Sequence, residues 1–177
     1  MNKQNPLTRL ALAAALAMAA QGAWAQSEIK IGYNSDMSAS GSADFGVSAL
    51  SGARQAAEEI NAAGGVLGKK IVIVPRDDVG SPPKSIQNAN ELVDNEKVVA
   101  MLGGVNSGNM LAWLHIVQQK KIPTISPSAT ATEITNRYSK EPANYIFRVS
   151  MRDLDQITLL AAYAAVSYTH LTLPTKA

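Results

Sequence analysis

Short apolar runs alternate with helix-forming segments along most of this chain. Five runs have the composition of β-strands: residues 28–34, 70–76, 98–102, 122–125 and 145–149. Between them stand segments with helical patterns: residues 47–62, 84–96, 109–119 and a short Ala/Thr/Glu stretch after residue 130. Helical crossovers of this kind join parallel strands in right-handed units. The sequence therefore predicts an α/β fold, a parallel sheet with helices on both faces.

The first 25 residues have the organisation of a cleavable signal peptide. Lys3 and Arg9 give a positive start, an apolar run follows at residues 10–20, and an Ala-Trp-Ala sequence ends at Ala25. A signal peptidase cleaves after such a small-x-small pattern. The apolar run would form a helix of only about 16 Å, whereas a membrane's hydrocarbon core is about 30 Å thick. We expect cleavage after Ala25, export of the mature chain and no membrane insertion of that chain.

Charge and cysteine content narrow the choice of partner. The chain has 16 Lys and Arg against 14 Asp and Glu, and two of the basic residues lie in the leader, so the mature chain is balanced. A balanced chain lacks the basic surface that is typical of nucleic-acid binding. Because there is no cysteine, disulfides, thiol nucleophiles and thiolate metal sites are excluded. We expect a small-molecule or protein partner, no nucleic acid, no metal and no cofactor.

The loops that follow the strands are the candidate ligand site. In open parallel sheets, ligands bind beyond the carboxyl ends of the strands, where the strand order reverses. The loops at residues 35–46, 104–108 and 126–130 are rich in small hydroxyl residues. Such side chains let a ligand approach the backbone, and each can both donate and accept a hydrogen bond. We expect these loops, which follow strands one, three and four, to converge.

Two of these loops lead into predicted helices. Ser107 and Asn109 precede an apolar helical stretch, where they could act as a plain N-cap. Residues 128–130 stand at a second predicted helix start. The free backbone N–H groups at a helix start also suit a carboxylate, so the two interpretations are compatible. Two such helix starts facing one crevice favour a ligand site.

Other candidates for chemistry are interpreted as structural. Asp77 and Asp78 follow strand two, in the loop at residues 77–82, but no further acidic residue at a strand end completes a metal or phosphoacceptor site. His115 lies inside a predicted helix, where it is more often surface or core than catalyst. The chain has no G-x-S-x-G and no phosphate-binding glycine motif. We therefore expect a binding protein and not an enzyme; the alternative, a secreted hydrolase, would need a nucleophile near a histidine.

Several motifs give the chain a resemblance to a known family. In order, they are the strand IKIGYN, the helical segment GARQAAEEINAAGGVLGKK, and then RDD, GGVNSG and IPTISPSAT. With these motifs, residues 28–165 resemble the branched-chain amino-acid binding proteins, which are type I periplasmic solute-binding receptors of ABC importers. The resemblance implies two α/β lobes joined by a hinge that close on a ligand. This chain would supply the N-terminal lobe only, and that lobe incomplete.

The resemblance also implies a set of site residues. Family members hold the ligand's carboxylate with a serine after strand three and with the threonine of the S-P-x-A-T turn, which match Ser107 and Thr130. A main-chain carbonyl of that turn accepts from the ligand's ammonium; its match is Ser128, with Ala129 adjoining the site. An aromatic residue in the first loop lines the side-chain pocket, and the nearest match is Phe45.

The chain departs from this family at two places. The family often has more Ser or Thr after the strand-three serine, whereas this chain has Gly108-Asn109, which leaves the ligand identity open. After residue 166 the family pattern stops, and the tail resembles translated adapter sequence, although its alternating Thr and Leu residues would also suit an edge strand. We therefore divide the chain as follows: signal peptide 1–25, ligand-binding lobe 26–150, crossover helix of a second lobe 151–166, non-native tail 167–177.

The function that the resemblance implies is solute capture. We expect a periplasmic receptor that binds a small amino acid, branched-chain or otherwise aliphatic, or a related amide, and delivers it to the inner-membrane permease of an ABC importer. A periplasmic ligand-sensing module of the same fold is an alternative that the sequence of this lobe does not distinguish. A sugar ligand is less favoured, because sugar rings stack on aromatic residues and the strand-end loops contain little beyond Phe45.

Overall fold

A parallel sheet is the element on which the rest of the chain packs. The computed structural model describes residues 28–167, so the predicted signal peptide and all but the first residue of the predicted tail lie outside the described residues. The strands are β1 (Ile29–Ser35), β2 (Ile71–Asp77), β3 (Ala100–Gly103), β4 (Thr124–Ser126) and β5 (Ile146–Arg148). All of them pair in parallel, and each predicted strand is confirmed within two residues at either end.

The order of the strands across the sheet is β2-β1-β3-β4-β5. Strand β2 lies on one side of β1, whereas β3 and the later strands continue on the other side. The direction in which the chain builds the sheet therefore reverses between β1 and β3. Such a reversal opens a crevice beyond the carboxyl ends of these two strands, where ligands of open α/β sheets bind.

Helices connect the strands and cover the sheet. They are α1 (Ala43–Ala62), α2 (Pro82–Asn90), α3 (Ser107–Lys120), α4 (Glu133–Asn136) and α5 (Asp153–Ser167), and α2 continues into a π-helical turn at Glu91–Asn95. The sequence placed the starts of α1, α2 and α3 too late, at residues 47, 84 and 109. Each missed first turn contains Gly or Pro. These residues interrupt a periodic helical pattern, but they are tolerated at the start of a helix.

The main hydrophobic core lies on one face of the sheet. Met101 and Ile146 contribute to it from β3 and β5, and Leu92, Trp113 and Leu114 pack on them from the helical layer. Each of these side chains is at most 3% exposed. Burying a side chain of this size contributes about 1.5–3 kcal/mol. This core therefore holds α3 firmly against the sheet.

Helix α1 covers only part of the opposite face. Its Ala57 lines a small apolar cavity together with Ile31 and Ile73 of the sheet. Farther across the same face, Ile125 and Phe147 pair in register on β4 and β5 and are 38% and 52% exposed. The prediction of helices on both faces is confirmed, but on this face the cover ends before β4.

Helix α5 presents its apolar side chains to solvent. Leu154, Ile157, Leu160, Tyr163 and Val166 are between 55% and 80% exposed. None of the helices within residues 28–167 combines the length and the apolar content that a membrane span requires. An apolar helix surface of this kind promotes association unless another segment covers it.

Gly46 allows the first turn of α1 to lie against the end of β1. The Tyr33 hydroxyl donates a hydrogen bond to the Gly46 carbonyl at 2.6 Å. A Cβ atom on Gly46 would collide with the carbonyl oxygen of Asp36. The position of α1 beside the strand ends therefore depends on glycine at this residue.

We predict that Gly46→Ala lowers the free energy of unfolding by about 1–3 kcal/mol or more, because the new methyl group must displace backbone atoms. Gly52→Ala is the matched control: Gly52 lies in the same helix, and a Cβ atom there would meet nothing within 4 Å. The control should keep or raise stability. Urea unfolding of both variants measures the difference, and equal stabilities would contradict the close approach.

Candidate functional site

The loops after β1, β3 and β4 meet at the carboxyl edge of the sheet. The hydroxyl of Ser42, directly before α1, donates to the Asn106 side chain at 2.8 Å. The backbone N–H of Ala131, after β4, donates to the Ser107 hydroxyl oxygen at 3.2 Å. The predicted convergence of these loops is confirmed, and α3 begins at its centre.

Ser107 is the first residue of α3 and is half-buried. The prediction of Ser107 and Asn109 as the N-cap is wrong, because Asn106 holds that position and its side chain makes no capping hydrogen bond. The backbone N–H groups of residues 107–109 therefore have no acceptor among the described residues. Since the Ser107 oxygen accepts from Ala131, its hydroxyl hydrogen can point outward. This donor set suits a carboxylate.

The loop after β4 is a turn and not a helix start, contrary to the prediction. Helix α4 begins only at Glu133, with Thr132 as its N-cap. Ala129 is buried, and its carbonyl accepts hydrogen bonds from the hydroxyls of Ser126 and Ser150 at 3.1 and 2.8 Å. Serine side chains therefore fix this turn through the carbonyl of Ala129, which is itself a buried part of the turn.

Ser128 and Thr130 keep unengaged polar groups in this turn. Within residues 28–167, neither Ser128 nor the Thr130 hydroxyl makes a hydrogen bond. The Thr130 carbonyl is engaged, since it accepts from the Arg148 guanidinium at 3.0 Å and from the Asp153 backbone N–H at 2.9 Å. Both Ser128 and Thr130 are half-buried, so a small molecule beside Ser107 can reach their polar groups.

Phe45 lies on the first turn of α1 and not in the preceding loop, where it was predicted. Its side chain is 67% exposed. The hydrogen bond between Ser42 and Asn106 joins the starts of α1 and α3. Phe45 is therefore an exposed apolar side chain three residues after the Ser42 that contacts the start of α3.

Three carboxylates gather at the ends of β1 and β2. Oxygen atoms of Asp36, Asp77 and Asp78 lie within 4.8 Å of one another, so the prediction that no further acidic residue joins Asp77 and Asp78 is wrong. Each carboxylate oxygen accepts at least one hydrogen bond from the chain itself. These bonds tie the first two strand-end loops together, in agreement with the structural interpretation of the pair.

A buried polar network holds the first turn of α3 in place. Asp78 accepts hydrogen bonds from the Asn109 side chain and the Ser85 hydroxyl, both at 2.9 Å. Asn34 donates to the Ser85 carbonyl at 2.8 Å, and Asn88 donates to the Asn34 side chain at 3.2 Å. All five residues are at most 4% exposed. This network was not predicted from the sequence; polar residues at otherwise apolar helix positions were the available signal.

Burial and hydrogen bonding combine differently at Asp78 and Asp36. Burial raises the pKa of Asp78 above its usual value, although Ser85 and other donors oppose the shift. Burial acts in the same direction on Asp36, but hydrogen bonds from residues 38–40 outweigh it and lower the pKa of that carboxyl. Ionisation therefore stabilises the fold at Asp36 and opposes it at Asp78.

His115 is exposed on α3, in agreement with the helix-surface interpretation. It lies about 12 Å along the helix from Ser107. With Tyr138 and Tyr145 it lines a surface cavity at the opposite, amino-terminal edge of the sheet. In the described part of the chain, the serines of the site thus have no histidine beside them to activate a nucleophile.

A family model and known relatives match most of the chain. Residues 28–170 match the model of the family described as periplasmic binding protein. The leucine-specific-binding protein of Salmonella typhimurium is 35% identical over 161 residues, which are 91% of this chain and 42% of that protein. The chain spans between 31% and 42% of the length of the curated relatives that it matches.

Solved structures share the fold. The branched-chain amino acid transporter substrate binding protein of Streptococcus pneumoniae, in complex with isoleucine, has a TM-score of 0.70 and 30% identity; the match covers 80% of this chain and 39% of that one. An ABC transporter solute binding protein of Rhodopseudomonas palustris, in complex with 3,4-dihydroxybenzoic acid, has a TM-score of 0.69 and 27% identity, with 80% and 37% covered. Both matches place the described sheet in one part of a longer chain.

We predict opposite effects for two amide substitutions in the carboxylate cluster. Asp36→Asn places amide N–H groups against backbone N–H donors, so it should lower the free energy of unfolding by about 1–3 kcal/mol at pH 7. Asp78→Asn keeps an acceptor for Asn109, offers a donor to Ser85 and removes a desolvated charge, so stability should stay equal or rise.

The pH dependence of unfolding checks this assignment. The pKa of Asp36 is lowered in the fold, so its contribution is present above the unfolded pKa of about 4 and is lost as the pH falls through the folded pKa. The difference in unfolding free energy between wild type and Asp36→Asn should therefore decrease as the pH is lowered. An equally large deficit for Asp78→Asn at pH 7 would show that the two carboxylates have the same role.

Proposed function

Because the chain belongs to the periplasmic binding protein family, we propose that it forms the ligand-binding lobe of a receptor that captures an aliphatic amino acid for an ABC importer. The leader that ends at Ala25 directs the receptor to the periplasm. There the ligand-loaded receptor meets the inner-membrane permease of the importer.

The observation that supports this proposal most directly is that hydrogen-bond donors and acceptors lie side by side at the carboxyl edge of the sheet. Ser107 and the N–H groups of residues 107–109 are donors that suit a carboxylate. The unengaged Thr130 hydroxyl adds a further donor for the carboxylate, and Ser128 adds an unengaged carbonyl, which suits an ammonium group. An amino acid carries both charges on one carbon atom, so it can reach both sets at once.

The relatives support a carboxylate ligand in general. Isoleucine and 3,4-dihydroxybenzoic acid, the ligands of two similar receptors, share a carboxylate but differ in that only isoleucine has an ammonium group. A ring-bearing carboxylic acid is therefore the second candidate ligand. The unengaged Ser128 carbonyl favours the amino acid, because a ring acid leaves that acceptor without a charged donor.

The same geometry supports binding without catalysis. The carboxylates nearest the site, Asp36, Asp77 and Asp78, are engaged by donors of the chain, and His115 is on the far half of α3. The receptor therefore holds its ligand unchanged. In this proposal α5 leads into a second lobe, which covers the exposed side chains of α5 and closes on the ligand from the other side.

We predict that Ser107→Ala and Thr130→Ala each weaken amino-acid binding by about 1–3 kcal/mol in a full-length receptor that carries this lobe. Hydrogen bonds to a charged carboxylate have this magnitude. His115→Ala is the control on the same helix and should leave the affinity unchanged. Isothermal calorimetry of the wild type and the three variants with leucine, isoleucine, valine and benzoate measures the affinities.

The outcome of this experiment separates the ligand hypotheses. Unchanged affinity in both hydroxyl variants would exclude the proposed site. Tight binding of benzoate with no binding of leucine would keep the carboxylate position but replace the amino acid by the ring acid.

A further inference from the structure

The cavity at the amino-terminal edge of the sheet has the size of a small-molecule site. It lies between the carboxyl half of α3 and the loop at residues 138–145, which leads from α4 to β5, and its volume is about 470 Å³. Small-molecule sites usually measure about 300–1,000 Å³. We call it the tyrosine cavity, because Tyr138 and Tyr145 form part of its wall.

Gln118 ties the two walls of the tyrosine cavity together. Its amide nitrogen donates to the Ala143 carbonyl at 2.8 Å, and its amide oxygen accepts from the Tyr145 backbone N–H at 3.1 Å. The Tyr145 carbonyl accepts in turn from the Thr124 backbone N–H of β4 at 2.8 Å. The backbone of Tyr145 is thus held on both sides, so a ligand finds the cavity already formed and does not have to order it.

The two tyrosine rings supply the apolar surface of the cavity. Tyr138 packs against the main hydrophobic core and lines the cavity as well, and both tyrosines are half-buried. Within residues 28–167 neither hydroxyl makes a hydrogen bond, whereas the hydroxyl of the buried Tyr33 donates to Gly46. Since tyrosine hydroxyls that leave water usually find a partner, those of the cavity are available to a bound molecule.

Further polar side chains of the lining are also unengaged: His115, Gln119, Lys121 and Glu141. None of the four makes a side-chain hydrogen bond or an ion pair in the part of the chain that the structure describes. His115 and Gln119 are one helical turn apart on α3, so they lie on the same face of the helix. The cavity therefore offers donors and acceptors beside its two aromatic rings.

The charges of the lining favour a neutral ligand. Lys121 and Glu141 have opposite charges, so an anion would meet the carboxylate and a cation would meet the ammonium group. A neutral molecule that both donates and accepts hydrogen bonds can use both side chains. The lining thus selects a polar molecule without net charge.

A sugar ring combines these properties. Each of its hydroxyls donates and accepts, and the C–H groups on one face of the ring form an apolar surface that suits the negative face of an aromatic ring. A flat aromatic ligand would use the tyrosines but leave the polar side chains without partners. The shortage of aromatic residues that disfavours a sugar in the strand-end loops does not apply to this cavity.

We propose that the tyrosine cavity is a second ligand site, which binds a neutral sugar with the C–H face of its ring on the tyrosines and its hydroxyls on the four unengaged side chains. The proposal does not depend on the proposed function, because the cavity shares no residue with the loops at the carboxyl edge. His115 lies about 12 Å along α3 from Ser107, so an amino acid and a sugar bind at the same time.

NMR titration of a full-length receptor that carries this lobe tests the proposal. The neutral probes are glucose, galactose, N-acetylglucosamine and the trimer of N-acetylglucosamine, and glucuronate and glucosamine are the anionic and cationic probes. At least one neutral sugar should bind, and more tightly than either charged probe. Tighter binding of the trimer than of its monomer would identify a glycan strand as the source of the sugar, and equal binding a free sugar.

Two variants remove parts of the site. Glu141→Ala should weaken sugar binding by at least about tenfold, since hydrogen bonds to a carboxylate are strong, and Tyr145→Leu by about tenfold, since it removes the ring. Lys140→Ala is the matched control: Lys140 is exposed in the same loop and does not line the cavity. Glu141 is exposed and has no partner within the described residues, so Glu141→Ala should melt at the wild-type temperature.

The leucine affinity of each variant separates the two proposals, and it should equal that of the wild type. Three results would each overturn the sugar site and leave the proposed function intact: no binding of any neutral sugar, tighter binding of a charged probe, or unchanged sugar affinity in Glu141→Ala. A wild type that binds a neutral sugar but not leucine would support the sugar site and contradict the proposed function.

Discussion

The hydrogen bond between Asp78 and Asn109 decides where the first turn of α3 lies. It joins the end of β2 to the first turn of α3 at 2.9 Å, and the main core then holds the remainder of α3 against the sheet. A buried carboxylate without a cationic partner in contact is costly, so such a network adds little stability. Its effect is geometric: it fixes Ser107 relative to the two strands between which the crevice opens.

Polar residues at the strand ends fall into two groups. The oxygen atoms of Asp36, Asp77 and Asp78 accept hydrogen bonds from the strand-end loops and from helices α2 and α3. These bonds account for a tight, convergent set of loops made from Ser- and Gly-rich sequence. Ser107, Ser128 and Thr130 keep groups that the described chain does not engage. The first group is needed to build the edge, and the second is what the edge can offer to a small molecule.

The sequence predicted the sheet well because apolar runs of strand length reflect burial, and burial is what the parallel sheet imposes. Helix starts were predicted less well, since the first turns of α1, α2 and α3 contain Gly or Pro. For the same reason Phe45 was predicted in the loop, although it lies in the first turn of α1. Asp36 escaped notice because its partners follow another strand, and adjacency across strands depends on register, which no local pattern shows. The roles of Ser107, Ser128 and Thr130 came from a family resemblance and remain predictions.

The hydrogen bonds of the turn after β4 are consistent with the proposal that the carbonyl of residue 128 accepts from a ligand's cation. The carbonyl of Ala129 already accepts from two serines, and that of Thr130 accepts from Arg148 and from the start of α5. An oxygen with two donors has no lone pair left for a third. The Ser128 carbonyl has no donor within residues 28–167. The bonds that fix the turn thus occupy the carbonyls of Ala129 and Thr130 and leave that of Ser128 open, so the bonds that make this loop rigid also limit which acceptors it can offer.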